Sequence, residues 1–386
     1  MSYLIQLPSI MHIGAGSSGQ LAEVLANLNC SKPLMITDPM MVELGYAASI
    51  VKLLDEAGVD CDYCDQTLPE PTVASLQPSL EMLKAGNYDC LVALGGGSPI
   101  DTAKALSVLH HFGGEMRDYK VPRSVDQLGL PVIAIPTTAG TGSEATRFTV
   151  ITDETTDEKM LCAGAAFLPR AALVDYELTL TVPPRTTADT AIDALTHAIE
   201  AYVSKKANAF SDQQALAAMS LIAPNLRKVY SNGNDRQARE AVMLGATLAG
   251  MAFSNASVAL VHGMSRPIGA FFHVPHGLSN AMLLPAVTEY SIPAAVERYA
   301  DCARQMGVAQ KSHTDDEAND LLLDELRALN TELAVPTPLE YGISRQNYLE
   351  VVSIMAAQAE QSGSPANNPR VPTQQDMIEL YRSVIE

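Results

Sequence analysis

Through the first 180 residues, short unbroken apolar runs alternate with segments whose apolar positions recur at helical spacing. The runs include "KPLMITD", "DCDYCD", "CLVAL" and "LPVIAIPTT"; the helical patterns include "MVELGYAASIVKLLDEAG" and "DTAKALSVLHHFGG". Aliphatic and β-branched runs closed by turn residues suit strands covered on both faces, so this half predicts a parallel α/β domain. After "RAALVDYELTLTVPP" the texture changes. From Arg185 onward strand-like runs almost vanish and long segments keep helical spacing, as in "DQQALAAMSLIAPNLRKVY", "EAVMLGATLAGMAF" and "NDLLLDELRALNTELA". The second half is therefore expected to be all helix. Pro183-Pro184, which stops both strands and helices, is the expected hinge and gives domains at 1–182 and 183–386.

Composition narrows the function. With 386 residues, 47% of them hydrophobic, the chain can fill two ordinary cores. A formal net charge of −19 argues against nucleic-acid binding, which relies on Lys and Arg displacing counterions, and points to a small-molecule partner. No run approaches the ~20 apolar residues that span a bilayer, and "MSYLIQLPSIMHIG" lacks the basic start of a signal peptide, so no membrane partner and a cytoplasmic location are expected. Six scattered cysteines suit reduced thiols better than a disulfide framework. Cys61 and Cys64 form a CxxC without a second pair to complete a zinc site, and they read as part of a strand.

Three loops in the α/β half offer backbone amides to a dinucleotide. Gly14-Ala15-Gly16-Ser17-Ser18-Gly19 matches GxGxxG literally, with Asp38 nineteen residues beyond. Gly95-Gly96-Gly97-Ser98-Pro99 follows an apolar strand and opens a helix. Its glycines permit close approach to a pyrophosphate, Pro99 suits the first helical turn, and Asp101 complements the helix N-terminus. "PTTAGTGSEAT", Pro136 to Thr146, adds hydroxyls and free amides after the strand "PVIAI".

In the helical half, "AIDALTHAIEAYVS" places Asp193 and His197 four apart, on one face of an apolar helix. His262 and His276, from "VHGMSRPIGAFFHVPHG", can complete a set of one carboxylate and three imidazoles. Such donors suit Fe(II), Zn(II) or a similar divalent ion, and softness alone does not choose among them.

Together, "GGGSPIDTAKAL", "IPTTAGTGSEATRFTVITDE", "DALTHAIEAYVS" and "VHGMSRPIGAFFHVPHGLSNAMLLP" resemble the iron-containing (group III) alcohol dehydrogenases, motif by motif and in that family's order. The resemblance runs nearly end to end. It implies a Rossmann-like nucleotide-binding domain of the dehydroquinate synthase type, a helical metal-binding domain behind it, and an active site in the cleft between them. It implies Asp193, His197, His262 and His276 as metal ligands, with His273 beside substrate or nicotinamide. It further implies that Gly96, Gly97 and Ser98 hold the pyrophosphate of NAD, that Thr137, Thr138, Thr141, Lys159 and Leu178 help place the cofactor, and that Asp38 receives the adenosine ribose. The literal GAGSSG turn is then a decoy. Phe148 and Phe253 fall at positions that line the family's substrate pocket.

The activity so implied is reversible hydride transfer between an alcohol and NAD, in a homodimer or larger homo-oligomer. Two positions depart from the family pattern: Ala191 stands where a glycine is usual, and Arg266 where a second histidine is common. Arg266, unable to shuttle protons, is expected to favour acidic or polyhydroxy aldehydes. Rival readings are a glycerol dehydrogenase-like relative, a metal-free reductase of the maleylacetate type, and a non-catalytic binding protein; the full Asp/His set opposes the metal-free one.

Overall fold

The computed structural model describes residues 2–156 and 158–385. Among them eight strands form, all in the first half: β1 (Ile10–Ile13), β2 (Pro33–Ile36), β3 (Asp62–Cys64), β4 (Cys90–Gly95), β5 (Val132–Pro136), β6 (Phe148–Asp153), β7 (Glu158–Ala163) and β8 (Ala171–Val174). Six make one sheet in the order β1-β8-β5-β4-β2-β3, and each of its pairings is parallel.

Alternate side chains of each strand leave opposite faces. In β4, Leu91 and Ala93 join a core built with the helices Gln77–Ala85 and Gly97–Phe112. Cys90, Val92 and Leu94 join a second core on the other face, with Leu21–Asn27 and Tyr46–Glu56. Two covered faces are the reason the strands read as unbroken apolar runs.

Strand order reverses between β2 and β4, the topological switch point at which open α/β sheets bind ligands beyond the carboxyl ends of their strands. Asp38 follows β2 there and the Gly95-Gly96-Gly97 turn closes β4. They are close: a Cβ placed on Gly95 would lie 3.2 Å from Asp38 Oδ2.

The parallel pattern alone does not predict the antiparallel hairpin of β6 and β7. Its burial alternates residue by residue along β6, as befits strands covered on one face. The sequence there, "FTVITD", carries that alternation only weakly because Thr occupies the polar and apolar registers alike.

Among the described residues, contacts divide the chain into a sheet unit, Gln6–Thr181, and a second unit that joins the residues before Gln6 to those from Val182 onward, so the expected single boundary after residue 182 shifts by one and the first few residues change sides. The second unit is helical. Its central helix, Pro184–Val203, starts on a proline at its first turn and packs against Ala209–Ser231, Arg236–Asn255 and His276–Ser291. Because neighbours surround this helix from Ala191 to Val203, polar residues there are enclosed whichever way they face. Asp193, His197 and Glu200 are 3%, 5% and 3% exposed.

Candidate functional site

In the helical unit, three helices deliver the ionisable groups. Asp193 and His197 come from Pro184–Val203, His262 from the first turn of Leu260–Phe272, and His276 from the first position of His276–Ser291. Donor atoms of Asp193, His262 and His276 all lie within 4.8 Å of one another. Around Asp193 Oδ1 stand the Nε2 atoms of His262 at 3.3 Å, His276 at 3.7 Å and His197 at 3.9 Å. His197 stacks between Phe253 and His262, each with ring centroids 4.3 Å away.

The close approach depends on Gly277. A Cβ there would lie 2.2 Å from the backbone oxygen of Asp189 and 3.3 Å from Asp193 Cβ, so only glycine lets the two helices meet at this depth.

These residues fit a divalent ion. Donor bonds of about 2.0–2.2 Å in a tetrahedral array put neighbouring donors roughly 3.4 Å apart, close to the separations found around Asp193. Asn280 supplies a second test. Its Nδ2 lies 2.6 Å from Asp193 Oδ1, 3.2 Å from His262 Nε2 and 3.3 Å from His276 Nε2. An amide has two hydrogens for these three acceptors, whereas a cation is attracted by all of them at once. Burial raises the Asp193 carboxyl, yet His197, His276 and His262 outweigh it and hold the group well below the usual carboxylate range.

A second cluster, Cys30 with Asp89 and Cys90, lies in the sheet unit. Asp89 there is already engaged by the Ser31 amide at 2.7 Å, the Ser31 hydroxyl at 2.9 Å and the Lys32 amide at 3.0 Å. It serves as a clamp between β2 and β4.

The glycine turns sort themselves by what their amides already bind. In GAGSSG, the Gly16 and Ser18 amides donate to the Asp175 carboxylate at 3.1 and 3.2 Å, and Ser18 Oγ adds a 2.6 Å bond. An internal anion thus sits on the literal fingerprint. At the second turn Gly96 and Gly97 face Thr138 and Thr141: added Cβ atoms would meet those side chains at 3.3 and 2.9 Å. Thr137 donates its amide to Gly95. The two loops therefore lie side by side at the switch point, with Asp38 beside them. One Asp38 oxygen caps the short helix Pro39–Glu43 through the Met41 amide.

Asp101 departs from its expected place. Its oxygens accept from Ser143 Oγ at 2.7 Å and from the Val150 amide at 2.9 Å, so it braces the threonine-rich loop from below. Lys104, one turn on and unforeseen from the sequence, completes the brace. It is fully buried and donates to Ser143 Oγ, Phe148 O and Thr146 O at 2.7–3.1 Å. Burial pushes its ammonium down to about 8 against the pull of Asp101 and Glu144. Lys159 pairs with Glu70 at 2.7 Å, Ser98 Oγ accepts from the Glu70 amide, and Leu178 packs against the core beside β8. Phe148 opens β6.

Arg266 lies one turn beyond His262, and its Nη1 donates to Ser364 Oγ at 3.2 Å. His273 caps the same helix with φ 55°, in the left-handed region, and is exposed. Two further residues near the histidines were not foreseen. Asn280 stands four after His276, and Glu200 stands seven after Asp193, both on the helix faces that carry ligands. The spacing that singled out Asp193 and His197 reaches them too, had amides and second-turn acids been counted.

A doubly wound sheet with glycine-rich turns at its switch point, together with a helical unit carrying a buried Asp/His cluster, defines a metal-dependent dehydrogenase class. The chain belongs to the iron-containing alcohol dehydrogenase family. The family's model, described as iron-containing alcohol dehydrogenase, matches residues 8–176, and that of the Fe-containing alcohol dehydrogenase family, C-terminal, matches 187–385. Alcohol dehydrogenase 4 of Saccharomyces cerevisiae (strain YJM789) is 36% identical over 98% of both chains. The crystal structure of a 1,3-propanediol oxidoreductase superposes with a TM-score of 0.95 at 31% identity, covering 100% of each chain. Sulfoacetaldehyde reductase from Bifidobacterium kashiwanohense in complex with NAD+ superposes at 0.89 with 25% identity, covering 100% of this chain and 99% of that one. The protein is an oxidoreductase that interconverts alcohols and aldehydes.

Proposed function

We propose that the protein is an NAD(H)-linked dehydrogenase whose divalent ion, Fe(II) in keeping with its family, is held by Asp193, His197, His262 and His276. The observation that carries this reading is the convergence of three imidazole nitrogens on one buried carboxylate oxygen at 3.3–3.9 Å. When bound, an ion there supplies Lewis-acid polarisation of an alcohol or carbonyl oxygen, and NAD accepts or returns the hydride. The residues do the rest. Asp193 offsets part of the ion's charge, and the Phe253–His197–His262 stack fixes ring orientation and excludes water.

Within residues 1–182, the sheet unit Gln6–Thr181 serves as the nucleotide-binding domain. Gly96, Gly97 and Ser98 receive the pyrophosphate, Thr137, Thr138 and Thr141 flank it, and Lys159 and Leu178 border the cofactor, while Asp101 acts indirectly by bracing the loop. Asp38 receives the adenosine ribose through the oxygen not used in its helix cap. Residues 183–386 form the metal-binding catalytic domain. Phe253, Arg266 and His273 of this unit border the substrate. The reading extends to a homo-oligomeric, cytoplasmic enzyme; six cysteines that are all free favour the reducing compartment. Among the described residues no single helix is long and apolar enough to cross a membrane.

A second reading, preference for an anionic or polyhydroxy aldehyde, is favoured by Arg266, whose guanidinium stands one turn from His262. That one relative reduces sulfoacetaldehyde supports it. The test is metal analysis with nicotinamide absorbance over a panel of simple, hydroxylated and anionic aldehydes. Turnover by a sample shown to be metal-free would overturn the metal reading. Equal efficiency with butanal and every anionic aldehyde would overturn the second.

A further inference from the structure

Glu200 lies on the central helix, outside the donor set proposed for the metal, and is almost wholly buried. A carboxylate enclosed this way is costly unless each oxygen is satisfied. Here both are. Oε2 accepts from the Ala259 amide at 2.9 Å and from the His262 amide at 3.4 Å, and Oε1 accepts from the Val261 amide at 2.6 Å. The fourth bond, 2.6 Å, joins Oε2 to Nδ1 of the His262 ring.

Because a carboxylate only accepts, Nδ1 must carry the hydrogen, and the neutral ring then keeps its free lone pair on Nε2. That nitrogen is the one 3.3 Å from Asp193 Oδ1. An imidazole left to itself favours the proton on Nε2, the atom that would have to bind the ion. The same carboxylate also holds the backbone that carries His262. The Leu260–Phe272 helix begins after Ala259, whose φ of −129° and ψ of −132° are non-helical, and no side chain of its own caps it. Glu200 takes the first amides that the helix leaves without partners.

We propose that Glu200 is a positioning residue for the metal, fixing at once the tautomer of His262 and the place of its backbone. The proposal rests on the metal reading above. All four bonds of Glu200 go to the Ala259–His262 segment, so it acts through His262. Carboxylate partners of ligating histidines raise metal affinity by roughly 10–100-fold.

The test uses the metal-loaded enzyme, with Zn(II) as probe, titrated with a competing chelator. Glu200→Gln is expected to lose the ion about 10-fold more readily than wild type, and Glu200→Ala about 100-fold, while NADH affinity measured by fluorescence stays put. Activity lost by Glu200→Gln returns with excess Zn(II). A second measurement needs no variant: with 15N-histidine, the Zn(II)-loaded wild type should show a strongly downfield Nδ1–H proton from the short bond of His262. Equal metal retention in a folded Glu200→Gln, or a His262 ring that carries no proton on Nδ1, overturns the proposal. His262→Ala separates the two readings. If it keeps the ion, the metal assignment itself fails; if it loses the ion while Glu200→Gln keeps it, only the role of Glu200 fails.

Discussion

On the site assignment proposed above, the two units recognise their ligands with different parts of the chain. The sheet unit presents backbone: glycine turns at a switch point, where what matters is the absence of a side chain and the freedom of an amide. The helical unit presents side chains, one carboxylate and three imidazoles carried by three helices. Backbone sites degrade gradually, since many weak contacts share the ligand. A cluster of four donors with no spare fails all at once.

The sharpest test of that contrast is Asp193→Ala, which removes the oxygen about which the imidazoles gather. It should strip the ion and cut kcat/KM by at least about a thousandfold, or roughly 4 kcal/mol of transition-state stabilisation, with NADH affinity within twofold of wild type. A variant that loses NADH as well would show that the two sites are not independent. Next comes Arg266→His, which should lower efficiency toward an anionic aldehyde by about a hundredfold and leave metal content unchanged. Should the ranking of substrates stay as it was, the guanidinium serves only its bond to Ser364.

Gly277→Ala tests the one place where the helical unit, too, depends on a missing side chain. With a Cβ 2.2 Å from a backbone oxygen the helices must part, at about 1–3 kcal/mol in denaturant unfolding and with a measurable loss of metal affinity. In the sheet unit, Gly97→Ala pushes against Thr141 rather than backbone. NADH affinity should fall about tenfold, or about 1.4 kcal/mol, with metal content intact. The smallest effect is expected of His273→Ala, since that residue is an exposed helix cap outside the clustered donors and would touch the substrate only at its border: metal is retained and kcat changes by about threefold, under 1 kcal/mol. Loss of the ion from this variant would mean that the donor set has been misassigned.

The contrast also governs how much could be read from the sequence. Donor side chains declare themselves, because acids and histidines are rare on apolar helices and their spacing places them on one face. Backbone sites do not. GAGSSG and GGGSP look alike as strings, and what separates them is that Asp175, over 150 residues away, already occupies the amides of the first. Asp101 was legible as a helix-start acid but not as a brace, because its partners Ser143 and Val150 are distant in the chain. Glu200 carries the weakest mark: a third acid on a helix that already has Asp189 and Asp193, its importance set entirely by where the Ala259–His262 backbone passes.

β1 has a single neighbour in the sheet, β8, with Ile10 opposite Ala171. Made before the other strands of this sheet, β1 thus has no ladder partner until some 160 further residues have been added. At about 5–20 residues per second that is roughly ten to thirty seconds of synthesis. Throughout it the backbone edge of "SIMHIG" lacks its ladder partner, and the GAGSSG turn's own anion, Asp175, arrives just after Val174 ends β8. That edge of the sheet is therefore closed last although its outer strand is made before the others, and a chain stalled or truncated before residue 175 leaves it open to other strands.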